Sequence, residues 1–292
     1  MTWNLWWRFG PWDERFAAIV ATIAAEDPDV VCLQELWASD GSVSPAADQA
    51  ELLANALGMH WARTESPYWN GYSFSNAVLS RWPISDPITH VLPDHKGKPS
   101  HRRALLCTVT PAIPKGSDPG IGAFKVVSTH FEFRFDRSTT RQAQSRSIAE
   151  LVAEHRLDPE TTFPVIVGAD TNALPSSEEM RSLTGLSEPP VRGLIFHDCW
   201  ALAGDETSGH APGDAAGHTW SDRNPYLANA SWPRRRIDYL LVSWPHPKGI
   251  GTPTKCWLSG TSAVNGIMPS DHYAVVADLR ESPPAALLNT AT

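Results

Sequence analysis

The apolar positions along the chain follow two periods, one of two residues and one close to four. Residues 2–7, "TWNLWW", read as a short strand in which Trp3, Leu5 and Trp7 share one face and Asn4 and Trp6 the other. "DERFAAIVATIAAEDPD" then places Phe16, Ile19, Val20 and Ile23 at helical spacing before Pro28 closes the helix. "DVVCLQE" is a β-branched, apolar run that ends on a carboxylate, Glu35. Further strands are expected at "NAVLSRW", "ALLCTVT", "FKVVSTH", "PVIVGAD", "IDYLLVS" and "HYAVVADL", separated by loops containing Pro, Gly and Ser. "RQAQSRSIAELVAEH" is the second clear helix, with Ile148, Leu151, Val152 and His155 on one face. So many strands with few interleaved helices predict an α/β fold of two sheets sharing one core, covered outside by helices.

No internal repeat, low-complexity block or linker-like charge run divides the 292 residues, so residues 1–281 are expected to form one domain, with 282–292 as a flexible tail. No stretch approaches the roughly 18–20 apolar residues of a membrane-spanning helix, and the start has no secretory pattern. With Met1 as the natural start, this predicts a cytoplasmic protein, expected to be a monomer. Four cysteines, Cys32, Cys107, Cys199 and Cys256, fall singly in apolar segments without zinc-type spacing and read as buried free thiols. The net charge of −8 disfavours a grip on extended duplex nucleic acid, which needs many phosphates neutralised. It leaves open a small phosphate ester or a nucleic-acid end met by local arginines.

The chemistry lies in where polar residues interrupt or end these strands. They are Asn4 in "TWNLW", Glu35 in "CLQE", His130 in "VVSTH", Asp170 and Asn172 in "VIVGADTN", and Asp238 in "RIDYLLV"; Asp271 and His272 immediately precede "YAVV". Each alone has an ordinary explanation as a core amide, a strand end, a helix cap or half of a surface ion pair. Together they do not, because several carboxylates and two histidines at one sheet edge are costly to bury unless they bind a cation, a phosphate or one another. They suit metal-assisted attack of water on a phosphate ester. Glu35, with Asn4 and Asp271, favours Mg²⁺ or Mn²⁺ over Zn²⁺. Asp170 is the candidate to orient and deprotonate the water, Asn172 to hold that water or a phosphate oxygen, and His272, oriented by Asp238, to donate to a non-bridging oxygen.

In this order the stretches "TWNLW", "DVVCLQE", "SNAVLSRWPI", "RRALL", "VVSTHFE", "VGADTN", "GHTWS", "RRIDYLLVS" and "PSDHYAVV" resemble the endonuclease/exonuclease/phosphatase superfamily. The resemblance runs from residue 2 to about residue 279. It implies the deoxyribonuclease I-like fold, a four-layered α/β/β/α sandwich of two mixed sheets packed face to face. It also implies Asn4, Glu35 and Asp271 at the metal, Asp170 and Asn172 around the water, and Asp238 paired with His272. His130 matches a histidine placed against the phosphate, Arg103 a phosphate-binding arginine, and Thr219 with Trp220 a motif beside the cleft. One departure is that the usual Gly-Asp-x-Asn turn reads Gly168-Ala169-Asp170-Thr171-Asn172. "TWN", "LQE", "STHFE", "ADTN", "GHTWS" and "PSDH" are similar to the tyrosyl-DNA phosphodiesterase branch, which acts on phosphotyrosyl links to DNA.

Other features bear on substrate. Four of the 13 tryptophans fall within the first twelve residues, and alternation makes Trp6 the cleft candidate. Arginines gather at 102–103, 134–141 and 234–236, of which Arg103 is the phosphate candidate. His210 and His218 read as loop residues, because their spacing is not that of a metal motif. The expected function is a divalent-metal-dependent phosphodiesterase or nuclease-like enzyme. Its alternatives are a phosphomonoesterase acting on a sugar or inositol phosphate, and a catalytically silent binding module. A serine hydrolase is set aside, since Ser270, Asp271 and His272 are sequence neighbours and no G-x-S-x-G elbow is present.

Overall fold

A computed structural model describes residues 1–95, 101–112, 122–158, 162–204, 216–229, 234–243 and 248–282. The β-branched and apolar runs pair into two sheets. The first contains β1 (Thr2–Asn4), β2 (Val30–Ser39), β3 (Ala47–Asp48), β4 (His60–Arg63), β5 (Tyr72–Ser80), β12 (Pro253–Ser259) and β13 (Ala274–Leu279), in the order β12-β13-β1-β2-β5-β4 with β3 added to β2. The second contains β6 (Ile84–Val91), β7 (Arg103–Val109), β8 (Phe124–His130), β9 (Ile166–Asp170), β10 (Phe196–Asp198) and β11 (Asp238–Ser243), in the order β10-β11-β9-β8-β7-β6. Each sheet is antiparallel except for one parallel pair, β1 with β2 and β8 with β9.

The period of two explains the layering. In β2, Val31 and Leu33 face outward, where they meet Ile19 and Ile23 of α1 (Trp12–Glu26) and Leu53 of α2 (Gln49–Leu57). Val30 and Cys32 face inward and pack with Leu105, Cys107 and Val126 of the second sheet. On the far side, Leu106, Val127 and Val167 pack with Ile148 and Val152 of α3 (Ser138–His155) and Met180 of α4 (Glu178–Leu183). A short α5 (Cys199–Ala203) closes one end against Leu240, Val242 and Cys256. The layers therefore run helix, sheet, sheet, helix, as expected. All four cysteines are buried and free. No helix among the described residues is long and apolar enough to cross a membrane. Residues 283–292 of the expected tail, and His210, lie outside the described residues.

Two strands depart from the sequence pattern, both beside the polar cluster. The first strand ends at Asn4 rather than at Trp7, because Trp6 and Trp7 take left-handed backbone angles, φ 57° and 38°. Trp7 thereby leaves the core face shared by Trp3 and Leu5, and its Nε1 donates to Ser73 O at 3.0 Å. The second strand does not stop at Glu35. A bulge there, with φ 56°, shifts the register on β5 between Leu33 and Leu36, after which Trp37 and Ala38 resume pairing. Leu33 and Leu36 both face the outer helices, so the bulge absorbs one residue and turns Glu35 out of the alternation. The pattern also passed over α2 and the edge strands β4, β6, β10 and β12, whose runs are short, half-exposed or interrupted by Pro87.

Two contacts hold the site end together. Between the sheets, a Cβ built on Gly168 would lie 2.3 Å from Cys32 Cβ and 2.9 Å from Thr2 Oγ1, so only glycine allows this approach. Beside the loop after β1, the fully buried Arg15 donates to five backbone carbonyls: Phe9 O from Nε, Leu5 O and Pro269 O from one terminal nitrogen, and Trp6 O and Trp7 O from the other. All five guanidinium N–H groups are used, and they join the segment after Asn4 to the segment before Asp271.

Gly168→Ala is expected to overpack this contact and lower stability by about 1–3 kcal/mol, read from the midpoint of urea unfolding; an unchanged midpoint would show that the sheets have room to part. Arg15→Lys keeps the charge but brings three donors for five carbonyls, and two unsatisfied carbonyls at about 1–3 kcal/mol each give a loss of roughly 2–6 kcal/mol. A thermal unfolding midpoint equal to that of the parent protein would contradict it.

Candidate active site

The strand register brings the polar residues to one level. In the second sheet Asp170 lies beside His130 on the parallel strand β8 and opposite Asp238 on the antiparallel strand β11. In the first sheet Asn4 pairs with Gln34, next to the Glu35 bulge. The two sheets meet at Asn4 Nδ2, which donates to Asp170 Oδ2 at 2.9 Å, while Asn4 Oδ1 accepts from Trp6 N at 2.9 Å. Asn4 is thus turned toward the cluster, and the left-handed turn at Trp6 makes its backbone N–H available to do this.

Asp170 is the hub. Its Oδ1 accepts from the backbone N–H of Asn172 at 3.0 Å, and its Oδ2, beyond the Asn4 bond, lies 3.3 Å from His130 Nε2 and 4.0 Å from His272 Nε2. Burial, reinforced by the neighbouring Asp238, pushes its carboxyl up to about 7, against the pull of His272, Asn4 and Asn172. Asn172 keeps this arrangement through a left-handed φ of 51°.

The two histidines are held in different states. His272 Nδ1 lies 2.9 Å from Asp238 Oδ2. Burial opposes a charge there, but Asp238, Asp271 and Asp170 outweigh it and raise the imidazolium well above its ordinary range. His130 is lowered well below that range by burial and by Arg102. An Arg102 terminal nitrogen lies 2.8 Å from His130 Nδ1; guanidinium only donates, so Nδ1 accepts and the ring proton is assigned to Nε2, which faces Asp170 Oδ2.

Around this floor lies a cleft of about 830 Å³, lined by Glu35, Arg102, His130, Asp170, Asn172, Asp271 and His272, with Trp6 and Trp220 among its aromatic walls. Ten of the twelve residues singled out in the sequence are therefore brought to one place by lining the cleft or bonding directly to its floor, and two are not. Arg103 opens strand β7, where successive side chains alternate in direction; one of its terminal nitrogens donates to His101 O at 3.1 Å, and Arg102 occupies the cleft instead. Thr219 is fully buried behind the cleft, its Oγ1 accepting from the backbone N–H groups of Ile237 and Asp238 at 3.1 Å each, so it fixes the Asp238 backbone. The sequence reading also missed Phe74, Phe133 and Phe135 as cleft walls. The alternating aromatic and charged run "HFEFRFD" was the available signal.

The groups that could hold a metal fall into two sets. Among the described residues, ligand atoms of Asp170, Asp238 and His272 lie within 4.8 Å of one another. Its members are already engaged, His272 Nδ1 by Asp238 and one lone pair on each Asp170 oxygen by Asn4 and Asn172. The second set is Glu35 and Asp271. Burial raises both, Asp271 to about 6, and Glu35 is among the charges that raise Asp271 further, against His272 and Arg102 or Arg15. Two carboxyls on one cleft floor, with Asn4, whose Oδ1 keeps a second lone pair beyond its bond from Trp6 N, offer oxygen donors, and this chemistry fits a hard divalent cation.

Comparison with known proteins accords with this geometry. The profile of the Endonuclease/Exonuclease/phosphatase family matches residues 1–272. A sequence comparison with curated proteins finds no match. Among solved structures, an endonuclease/exonuclease/phosphatase from Beutenbergia cavernae aligns at TM-score 0.66 and 25% identity, over 96% of this chain and 70% of that one. A humanized TDP2 from D. rerio aligns at TM-score 0.66 and 19% identity over 96% and 97% of the two chains. The human nocturnin catalytic domain with bound sulfate aligns at TM-score 0.65 and 20% identity over 96% and 93%. With the profile spanning all but the last strand and its cleft residues meeting at the sheet edges, the chain belongs to the endonuclease/exonuclease/phosphatase family.

Proposed function

We propose that the protein hydrolyses phosphodiesters with the help of a divalent cation, Mg²⁺ or Mn²⁺, by in-line attack of water. The observation that carries this reading is a buried carboxyl poised near neutrality, Asp170, next to a charged His272–Asp238 pair. The first suits a base and the second a donor, and they face one cleft. Family membership supports a phosphoric ester as substrate.

Each residue then has a task that its contacts support. Asp170, held by Asn4 and the Asn172 N–H, takes the proton of the attacking water. The Asn172 amide and the neutral His130, which both line the cleft, orient that water or a phosphate oxygen. His272, with Nδ1 engaged by Asp238, presents Nε2 to a non-bridging oxygen. Arg102, rather than Arg103, adds positive charge at the floor and fixes the His130 tautomer. Glu35, Asp271 and the Asn4 amide would hold the cation. When bound, it neutralises charge on the phosphoryl and leaving oxygens.

Asp170→Asn and His272→Ala are each expected to lower kcat on bis(p-nitrophenyl) phosphate by about 10²–10⁴-fold with an unchanged circular dichroism spectrum. Full activity in both would sink the mechanism. Asn4→Ala and Glu35→Gln are expected to raise the Mg²⁺ concentration needed for half-maximal activity by tenfold or more, in the range found when the partners that orient metal ligands are removed, about 10–100-fold. An unchanged metal requirement in the Asn4 variant would leave that residue only its cross-sheet bond.

A further inference from the structure

The floor of the cleft is polar, and its rim carries exposed aromatic rings. Phe9, Phe133 and Phe135 are 51%, 53% and 41% exposed, and all three stand on this one cleft. Leaving such a ring in water forgoes much of what its burial would contribute, and three on one edge are not the scattered apolar residues of an ordinary surface. The loop that carries two of them is held in place from below. Arg141 donates to Arg134 O at 2.7 Å and Glu132 O at 3.3 Å while its Nε bonds Glu179 at 2.6 Å, and Gln144 Oε1 accepts from Glu132 N at 2.8 Å.

Guanidinium groups lie over these rings. Arg134 sits 4.9 Å from the centre of Phe133, Arg102 5.7 Å from the same ring, and Arg235 3.9 Å from Phe135. Arg235 Nε is buried and finds no hydrogen-bond acceptor among the described residues. The rim therefore carries exposed phenyl rings with flat cations stacked against them.

We infer that this rim, built on Phe133, Arg134, Phe135 and Arg235, is a subsite for a planar aromatic group carried by the phosphate ester, a nucleobase or a phenol ring. The inference rests on the reading above for the phosphate at the floor. A planar π system stacks on a phenyl ring and on a guanidinium equally well, so it uses the whole rim. A lipid chain would use the rings but leave three cations desolvated against hydrocarbon. A long polyanion is disfavoured by the net charge of −8, which suits a ligand with one or a few phosphates.

Equilibrium binding tests this without turnover. With Mg²⁺ present, calorimetry would compare adenosine monophosphate, phenyl phosphate, ribose 5-phosphate and a short-chain phosphatidic acid below its micellar concentration. At least one of the two ring-bearing ligands is expected to bind about tenfold or more tightly than ribose 5-phosphate, and the one that does identifies the ring as base or phenol. Phe133→Ala/Phe135→Ala is expected to shrink that advantage to less than about threefold. Should that protein fold poorly, Phe133→Leu/Phe135→Leu, which keeps the apolar bulk and removes the π faces, serves the same purpose. Equal affinities in the parent protein, tightest binding of the phosphatidic acid, binding of none of the four, or an advantage that survives both substitutions would each overturn the inference. Loss of phosphodiester turnover with the ring preference intact would instead remove the function proposed above.

Discussion

The hydrogen bond from Asn4 to Asp170 is the point on which the site depends, because it joins the two sheets where their polar strand ends meet. A carboxylate buried to this degree is costly unless its oxygens are satisfied, and Asp170 has donors from both sheets. Burial, with Asp238 beside it, raises its affinity for a proton into the neutral range, and the bond from Asn4 pulls the other way while holding the carboxyl in place. Around this bond the structure is built for close approach. Gly168 lets the sheets touch just below it, Gln34 bridges to Ser128 and Gly168 O, and Arg15 gathers the carbonyls of the adjoining loops.

Much of this was legible in the sequence, for a physical reason. Strands buried on both faces read as unbroken apolar runs, so Asn4, His130, Asp170 and Asp238 stood out as polar breaks, and aligned strand ends then placed them together. Glu35 was visible as a residue but not as a bulge, since the left-handed angle that turns it out of the ladder leaves no mark in an apolar run continuing through Trp37 and Ala38. Arg102 and Arg103 could not be separated for a similar reason. Which of two adjacent side chains faces the cleft depends on where β7 begins, and boundaries are the least certain part of a pattern. The run of three arginines before Asp238 also divided in a way the sequence could not reveal. Arg234 pairs with Asp222, Arg236 with the buried Asp198, and Arg235 lies over Phe135, while Asp238 pairs with His272.

The cleft separates two kinds of work. At its floor, burial and neighbouring charges bias the protonation states: one histidine raised by three carboxylates against its burial, another lowered by burial and an arginine, and a carboxyl raised by burial and Asp238. At its rim, phenyl and guanidinium planes carry little directional information and can meet flat groups of differing detail. Chemistry at the first and recognition at the second can therefore vary independently, which accords with a fold that does not by itself name its substrate.

The central claim is that water, deprotonated at Asp170, displaces the leaving group directly at phosphorus. Hydrolysis of a phosphorothioate diester of known configuration in ¹⁸O-labelled water with Mg²⁺, analysed by ³¹P NMR, tests it most directly. A single displacement predicts one labelled oxygen on phosphorus with inverted configuration. Retention, label in the released alcohol, or no hydrolysis would contradict the account.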